Sequence, residues 1–222
     1  MPSKNKDKFE FAVHQHEQVP PNWYQESIKV DPFQRYWHRS RFREVKALIE
    51  PVKGYVLDVG SADGIFSYEI LKKSEARGLV GVDVLKPSVD WANKYWRKRA
   101  NMKFYVGDAH DLKFPTGKFD AIFCNEVLEH VVDPKKVLQG MKRVMKKGGY
   151  GVFLVPSDNL LFRLVWFFWL KFYPRGWVWR DTHIQTYRNN YLPKICKSAG
   201  FKIEVDKKFN LGMLSIVKVR KI

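Results

Sequence analysis

Tyr55-Val56-Leu57-Asp58-Val59-Gly60-Ser61-Ala62-Asp63-Gly64 is an apolar run that ends in an acid and two glycines. Ile65-Phe66-Ser67-Tyr68-Glu69-Ile70-Leu71-Lys72 then returns apolar residues at helical spacing. The run reads as a short buried strand and the periodic stretch as a helix, so the glycines occupy a strand-to-helix turn. There Gly60 can take dihedrals closed to other residues and let a ligand approach the main chain, while Gly64 allows close packing where the helix begins. This is the layout of a nucleotide-binding turn. It lacks the Lys-Ser/Thr ending of a phosphate-binding loop, and Asp58 and Asp63 put negative charge where a pyrophosphate would lie. The spacing of Gly60 and Gly64 also fails the Gly-x-Gly-x-x-Gly pattern of dinucleotide folds. A cationic ligand is favoured.

Downstream the strand pattern recurs. Gly78-Leu79-Val80-Gly81-Val82-Asp83-Val84 reads as a second buried strand. Its acid stands at the interval from the glycine turn where dinucleotide folds place a ribose-binding carboxylate, so Asp83 is expected to accept both ribose hydroxyls. Met102 to Ala109 gives a third strand closed by Asp108, and Phe119 to His130 a fourth with Asn125, Glu126, Glu129 and His130 at its end. Pro134 opens a helix in which Val137, Leu138, Met141, Val144 and Met145 share a face, leaving Lys135, Lys136, Lys142, Arg143, Lys146 and Lys147 to water. A turn and strand over Lys146 to Pro156, a helix ended by Ala199-Gly200, and strands over Phe201 to Val205 and Met213 to Val219 follow.

The stretch Asp58-Val59-Gly60-Ser61-Ala62-Asp63-Gly64 resembles the first motif of class I S-adenosylmethionine (SAM)-dependent methyltransferases, with Ala62 where that family more often has glycine. The ordered elements that follow, over about residues 50 to 222, are similar to the same family. The resemblance implies an α/β, Rossmann-like, doubly wound sheet of seven strands, mostly parallel, with an antiparallel C-terminal edge hairpin. It also implies SAM as cofactor, S-adenosyl-L-homocysteine (SAH) as product, and a binding site made of Asp58, Gly60, Ser61, Ala62, Gly64, Asp83, Val84, Asp108, Ala109, Asn125 and Glu126. Asp108-Ala109 matches the adenine-binding pair, and Asn125 and Glu126 match residues that flank the methionine end.

The chain has 222 residues, enough for one well-buried α/β domain with a small addition. Residues 1–50 read as an N-terminal extension, polar at first and broken by Pro20-Pro21, with an amphipathic cap helix over Phe33 to Ile49; residues 51–222 read as the main domain. Two cysteines cannot build a disulfide framework, and no metal-ligand spacing stands out; Cys124 is expected to be a core residue. The N-terminus lacks the apolar core of a secretory signal, so a cytoplasmic setting is expected. A net charge of +17, from 40 Lys and Arg against 23 Asp and Glu, favours anionic partners without choosing between RNA and membrane.

An insert at about 157–181 tips that choice. It runs from Asn159-Leu160-Leu161-Phe162-Arg163-Leu164-Val165-Trp166-Phe167-Phe168-Trp169-Leu170-Lys171-Phe172-Tyr173 to Arg180. Its apolar part is too short for a bilayer span, which needs about 20 residues. With its aromatics, Trp166 and Phe167 among them, and flanking cations it suits a helix lying in a membrane interface, with a lid or dimer contact as the other reading. The insert, followed by Asp181-Thr182-His183-Ile184, loosely resembles the O- and C-methyltransferases of ubiquinone and menaquinone biosynthesis, which implies a small lipophilic acceptor. For an acceptor that must lose a proton, His183 is the first candidate base and His130 the second. Methylation of RNA or protein through the basic surface, and SAM binding without activity, remain alternatives.

Overall fold

The structure, a computed structural model, describes residues 10, 13, 14, 17–173 and 182–222. Residues 174–181, the end of the predicted insert with Arg175, Trp177, Trp179 and Arg180, lie outside the described residues.

Seven strands form one sheet: β1 (Tyr55–Val59), β2 (Gly78–Asp83), β3 (Met102–Val106), β4 (Phe119–Asn125), β5 (Met145–Pro156), β6 (Lys202–Phe209) and β7 (Leu214–Arg220). Their order is β3-β2-β1-β4-β5-β7-β6. The first five run parallel, and β7 is antiparallel to both β5 and β6. The expected mostly parallel sheet with an antiparallel edge hairpin is the fold of this chain. Met145, expected on a helix, instead opens β5 opposite Phe119, because its backbone has already turned extended.

Both faces of the sheet are covered, as a parallel sheet requires. Period-2 alternation along β4 sends Ala121 and Phe123 to one side and Ile122 and Cys124 to the other, all with no exposed surface. Ala121 and Phe123 join a core containing Val45 of α2 (Pro32–Leu48), Ile70 of α3 (Ile65–Ser74) and Ala92 of α4 (Lys86–Tyr95). Ile122 and Cys124 join Leu138 and Met141 of α5 (Pro134–Val144) and Ile195 of α7 (Tyr191–Ser198). Cys124 is thus the core residue its strand predicted.

Strand order reverses at β1, with β2 on one side and β4 on the other, so a crevice opens outside the carboxyl ends of these strands. Two elements close over it. The N-terminal pair is α1 (Trp23–Val30) and α2, the latter started by Pro32 and by the Asp31 carboxylate accepting the Gln34 N–H at 2.9 Å. The other is α6 (Leu160–Phe172), whose N-cap Asn159 accepts from the Phe162 N–H at 2.7 Å. Phe33 of α2 meets Trp169 of α6 at 5.6 Å between ring centroids, and the Tyr173 hydroxyl bonds the Asp31 carboxylate. Among the described residues no helix is long and apolar enough to cross a membrane.

Candidate active site

The glycine turn is bent into the end of β2. Gly60 and Ser61 N–H both donate to the Val82 carbonyl, at 2.7 and 3.2 Å, and the Ala62 N–H donates to the Asp83 carboxylate at 2.8 Å. Gly60 holds φ +77° and Ala62 φ +43°, so the turn spends left-handed backbone where an alanine is strained. A Cβ on Gly60 would stand 2.1 Å from the Val127 side chain, so here the missing side chain makes room for Val127.

The two acids of the turn face inward. Asp58 is buried and accepts from the Ser67 hydroxyl at 2.6 Å; burial, and then the Asp83 charge, push its pKa up to about 7. Asp63 accepts from the Gln25 N–H of α1 at 2.9 Å and the Ile65 N–H at 3.1 Å, and burial pushes it up to about 6. Neither lines the cleft, so the negative charge read at the turn is spent holding α1 and α3 rather than facing a ligand. Ser61 and Gly64 also stand behind the cleft surface, Ser61 beside Gly81 and Gly64 beside Phe104 and Trp96.

The cleft itself is lined by Gly60, Ala62, Asp83, Val84, Asp108, Ala109, Asn125 and Glu126. Asp83 keeps one oxygen on Ala62 and the other on the Leu85 N–H at 2.9 Å, and its desolvation raises its pKa. The pKa of Asp108, half exposed, is lowered, chiefly by the His110 side chain that donates to it at 2.7 Å. Both amide atoms of Asn125 are buried and have no hydrogen-bond partner among the described residues. Glu126, at φ +55°, pairs with Arg41 of α2. Arg41 is 4 % exposed, and burial pushes its pKa down to about 10. This buried cation was missed in the sequence, where the helix read only as a cap. The available signal was a charge, with Gln34 and His38, on the helix face that is buried.

At the other end of the cleft the neighbours Glu129 and His130 meet His183 from a distant segment. His130 Nδ1 donates to the Thr182 carbonyl at 2.8 Å, and the rings of His130 and His183 meet edge to face with centroids 5.2 Å apart. His183 stacks on Trp166 at 5.0 Å, and its Nδ1 lies 4.0 Å from the Asp158 carboxylate. Glu129, 1 % exposed and with its pKa pushed up to about 8 by burial, lies 4.0 Å from His130 Nε2. Glu129, His130 and His183 each offer a ligand atom within 4.8 Å of the others, so this corner could also hold a divalent cation. The cleft wall continues in Phe33, Trp37, Phe162, Val165 and Trp169.

A family model described as a methyltransferase domain matches residues 33–205. The chain belongs to the methyltransferase-domain family. A ubiquinone biosynthesis O-methyltransferase of Coxiella burnetii is 28% identical over 157 residues, 70% of this chain and 65% of the relative. A demethylmenaquinone methyltransferase of Deinococcus radiodurans is 33% identical over 145 residues, 62% of this chain and 58% of the relative. The chain spans under two thirds of the length of these relatives. Among solved structures, PH0226 from Pyrococcus horikoshii has a TM-score of 0.68 at 21% identity over 83% of this chain and 91% of that one. A geranyl diphosphate C-methyltransferase from Streptomyces coelicolor, in complex with Mg2+, geranyl diphosphate and SAH, has a TM-score of 0.68 at 12% identity over 90% and 84%. These two show the fold.

For a class I methyltransferase domain the cofactor is SAM, and the residues present fit it. Two carboxylates, Asp83 and Asp108, line the cleft and could accept hydrogen bonds from an adenosine. The buried amide of Asn125, unpartnered among the described residues, and the Arg41–Glu126 pair could supply donors and acceptors to a charged amino acid end.

Burial of acids makes the stability of this methyltransferase domain depend on pH. A carboxyl whose pKa is raised by folding contributes stability that is lost as pH rises through the folded value. Asp58 at about 7 and Glu129 at about 8 therefore both favour the folded state as pH falls from about 8.5 to about 6.5. Below that window His38, held by burial and Arg41 well below its ordinary pKa, acts in the opposite sense. Urea unfolding of the ligand-free domain should show stability rising across the window, and Asp58→Asn, which keeps an acceptor for Ser67, should remove ~1 kcal/mol of the rise. An unchanged slope in that variant would mean that Asp58 is ionised throughout.

Proposed function

We propose that this chain transfers a methyl group from SAM to oxygen or carbon of a small lipophilic acceptor at an anionic membrane surface. The observation that carries the reading is the two-sided apolar character of α6. Its inner side, with Phe162, Val165, Trp166 and Trp169, lines the cleft, while Leu160, Leu164, Phe167, Phe168 and Phe172 are exposed on the other. The spacing of each set is helical, so one helix serves as wall and as outer face. The quinone methyltransferases among its relatives support the acceptor class. The net charge of +17, with Arg163 and Lys171 exposed on α6, supports anionic headgroups as neighbours of that face. RNA or protein methylation, or SAM binding without turnover, would leave an outward apolar face unexplained.

Bound SAM supplies an electrophilic methyl on its sulfonium sulfur, which leaves with the bond pair as SAH. In this reading Asp83 binds the ribose hydroxyls, Asp108 the adenine, and Asn125, Glu126 and Arg41 the methionine end. The aromatic wall holds the acceptor in line and keeps water out, and alignment of this kind can supply ~7–11 kcal/mol. His183 removes the proton from a hydroxyl acceptor, its ring held by Trp166 and facing Asp158. His130, bonded to the Thr182 carbonyl, orients the segment that carries His183.

Three measurements test these roles. Calorimetry should find SAM and SAH binding in the micromolar range with NAD and ATP not binding, and Asp83→Ala should weaken SAM by ~1.5–3 kcal/mol. Unchanged affinity would remove Asp83 from the site. With a quinol-type acceptor, His183→Ala should lower turnover by ~10²–10⁴-fold with SAM affinity nearly intact. Equal loss of both would mark a structural or metal-holding role. Because Trp166 turns toward the cleft, the outer face is probed by Phe167→Glu with Phe168→Glu. This double variant should lose at least ~10-fold in sedimentation with anionic liposomes, since burying each Phe is worth up to ~1.5–3 kcal/mol. If it pellets like the parent, α6 is a lid or dimer contact.

A further inference from the structure

His110 is absent from every role assigned above, yet its ring lies between the cleft and α5. Its backbone N–H donates to Asp108 Oδ1 at 2.8 Å, and its Nδ1 stands 2.7 Å from the same oxygen. On the ring's far side the Asp133 N–H, at the start of α5, points to Nε2 at 3.3 Å. A main-chain N–H can only donate, so Nε2 is the acceptor in that contact. In the neutral ring the proton then resides on Nδ1, and Nδ1–H donates to Asp108. Asp108 Oδ1 thus receives two donors from one residue, whereas Oδ2 takes no hydrogen bond from the described residues.

The scaffold behind the ring is fixed at both ends. Asp133 caps α5 by accepting the Lys136 N–H at 2.9 Å, and Arg143 near the other end of that helix donates to the carbonyls of Leu112 and Phe114 at 2.6 and 2.8 Å. The segment from Asp108 to Phe114 is therefore strapped along α5, with His110 as the link at the cleft end. A half-exposed carboxylate on a loop would otherwise rotate freely about its side-chain bonds, and holding one oxygen turns the other toward the cleft.

We infer that His110 is a positioning residue: it saturates one oxygen of Asp108 and presents the other to the exocyclic amine of adenine, so that the loop distinguishes an adenosine cofactor from one whose base carries a carbonyl there. This rests on the SAM reading above, with Asp108 at the adenine. A purine with a carbonyl at that position offers an acceptor to a carboxylate that needs a donor, and the pair repels.

The experiment compares SAH with S-inosyl-L-homocysteine, in which a carbonyl replaces the exocyclic amine and the adjoining N1 carries a proton, by calorimetry on the full chain and on Asp108→Ala, His110→Ala, His110→Asn and His110→Gln. The parent should bind SAH at least ~10-fold more tightly than the inosyl compound, the size of one hydrogen bond to a charged group. His110→Ala should bring that ratio to within about threefold of unity, mainly by weakening SAH, as Asp108→Ala does. His110→Asn keeps an amide donor near the Nδ1 position and should retain the preference. His110→Gln, whose amide reaches the Nε2 position instead, should lose it. A merely structural role would lower affinity for both ligands alike. If His110→Ala keeps the ratio that Asp108→Ala abolishes, His110 does not position the carboxylate and the inference falls. The same follows if Asn and Gln behave identically, a comparison that decides the matter even if the alanine variant fails to fold. Should the parent bind SAH with no base preference, the inference falls while the SAM reading stands; should it bind neither, the SAM reading falls with it.

Discussion

Everything around the cleft depends on the way the turn after β1 is tied to the end of β2. Two main-chain donors converge on one carbonyl, Val82, and a third reaches the Asp83 side chain. These bonds bend the chain across the point where strand order reverses, and the left-handed residues Gly60 and Ala62 are the conformational cost of that bend. Asp83 is thereby structural before any ligand arrives: its oxygens are already oriented by Ala62 and Leu85. A carboxylate fixed in this way loses little freedom on accepting hydroxyls, which is the physical meaning of preorganisation.

The second layer of the site is electrostatic and comes from outside the sheet. Asp63 reaches back to α1, and Arg41 reaches in from α2 to Glu126. Removing an arginine and several carboxyls from water is expensive, and a buried pair offsets that cost only with good geometry and further hydrogen bonds. The same desolvation explains why Asp58, Asp63 and Glu129 all have raised pKa values despite a strongly basic surface. Local burial outweighs the field of distant surface charges, which water and salt screen. N-terminal helices that would pass for an accessory extension therefore complete the polar floor of the cleft.

On the opposite side the constraint is apolar. α6 is aromatic on nearly every side, a pattern that in a soluble domain calls for burial on all faces. Here only one face is covered by the described residues. The inner rings pack toward His183, while the outer rings Phe167, Phe168 and Phe172 meet one another and Lys171 of the same helix and stay exposed. Wall and outer face are thus joined in a single helix, and the orientation of His183 depends on side chains that belong to the insert.

The succession of strands and helices was legible in the sequence because short apolar runs ended in a glycine or acid and helical periodicity followed them; the mostly parallel sheet and the edge hairpin came from the resemblance to the methyltransferase family, and the order of strands from the structure. Asp83 was legible from its interval after the glycine turn, and Asp108, Ala109, Asn125 and Glu126 from the family resemblance; all line the cleft because the carboxyl ends of the strands meet the crevice. Asp58, Ser61 and Gly64 share the motif but stand behind the surface, since adjacent residues in a tight turn point in opposite directions, and spacing alone does not say which faces the ligand. Arg41, His110 and the inward turn of Trp166 could be decided only by tertiary structure. Each depends on a partner far away in the chain, Glu126, Asp133 and His183 respectively, and on the rotation of a helix or loop about its own axis. Local pattern determines which elements form and which face is apolar; the packing of one element on another determines which polar side chain is trapped beneath it, because only there is water excluded and a partner within hydrogen-bond reach.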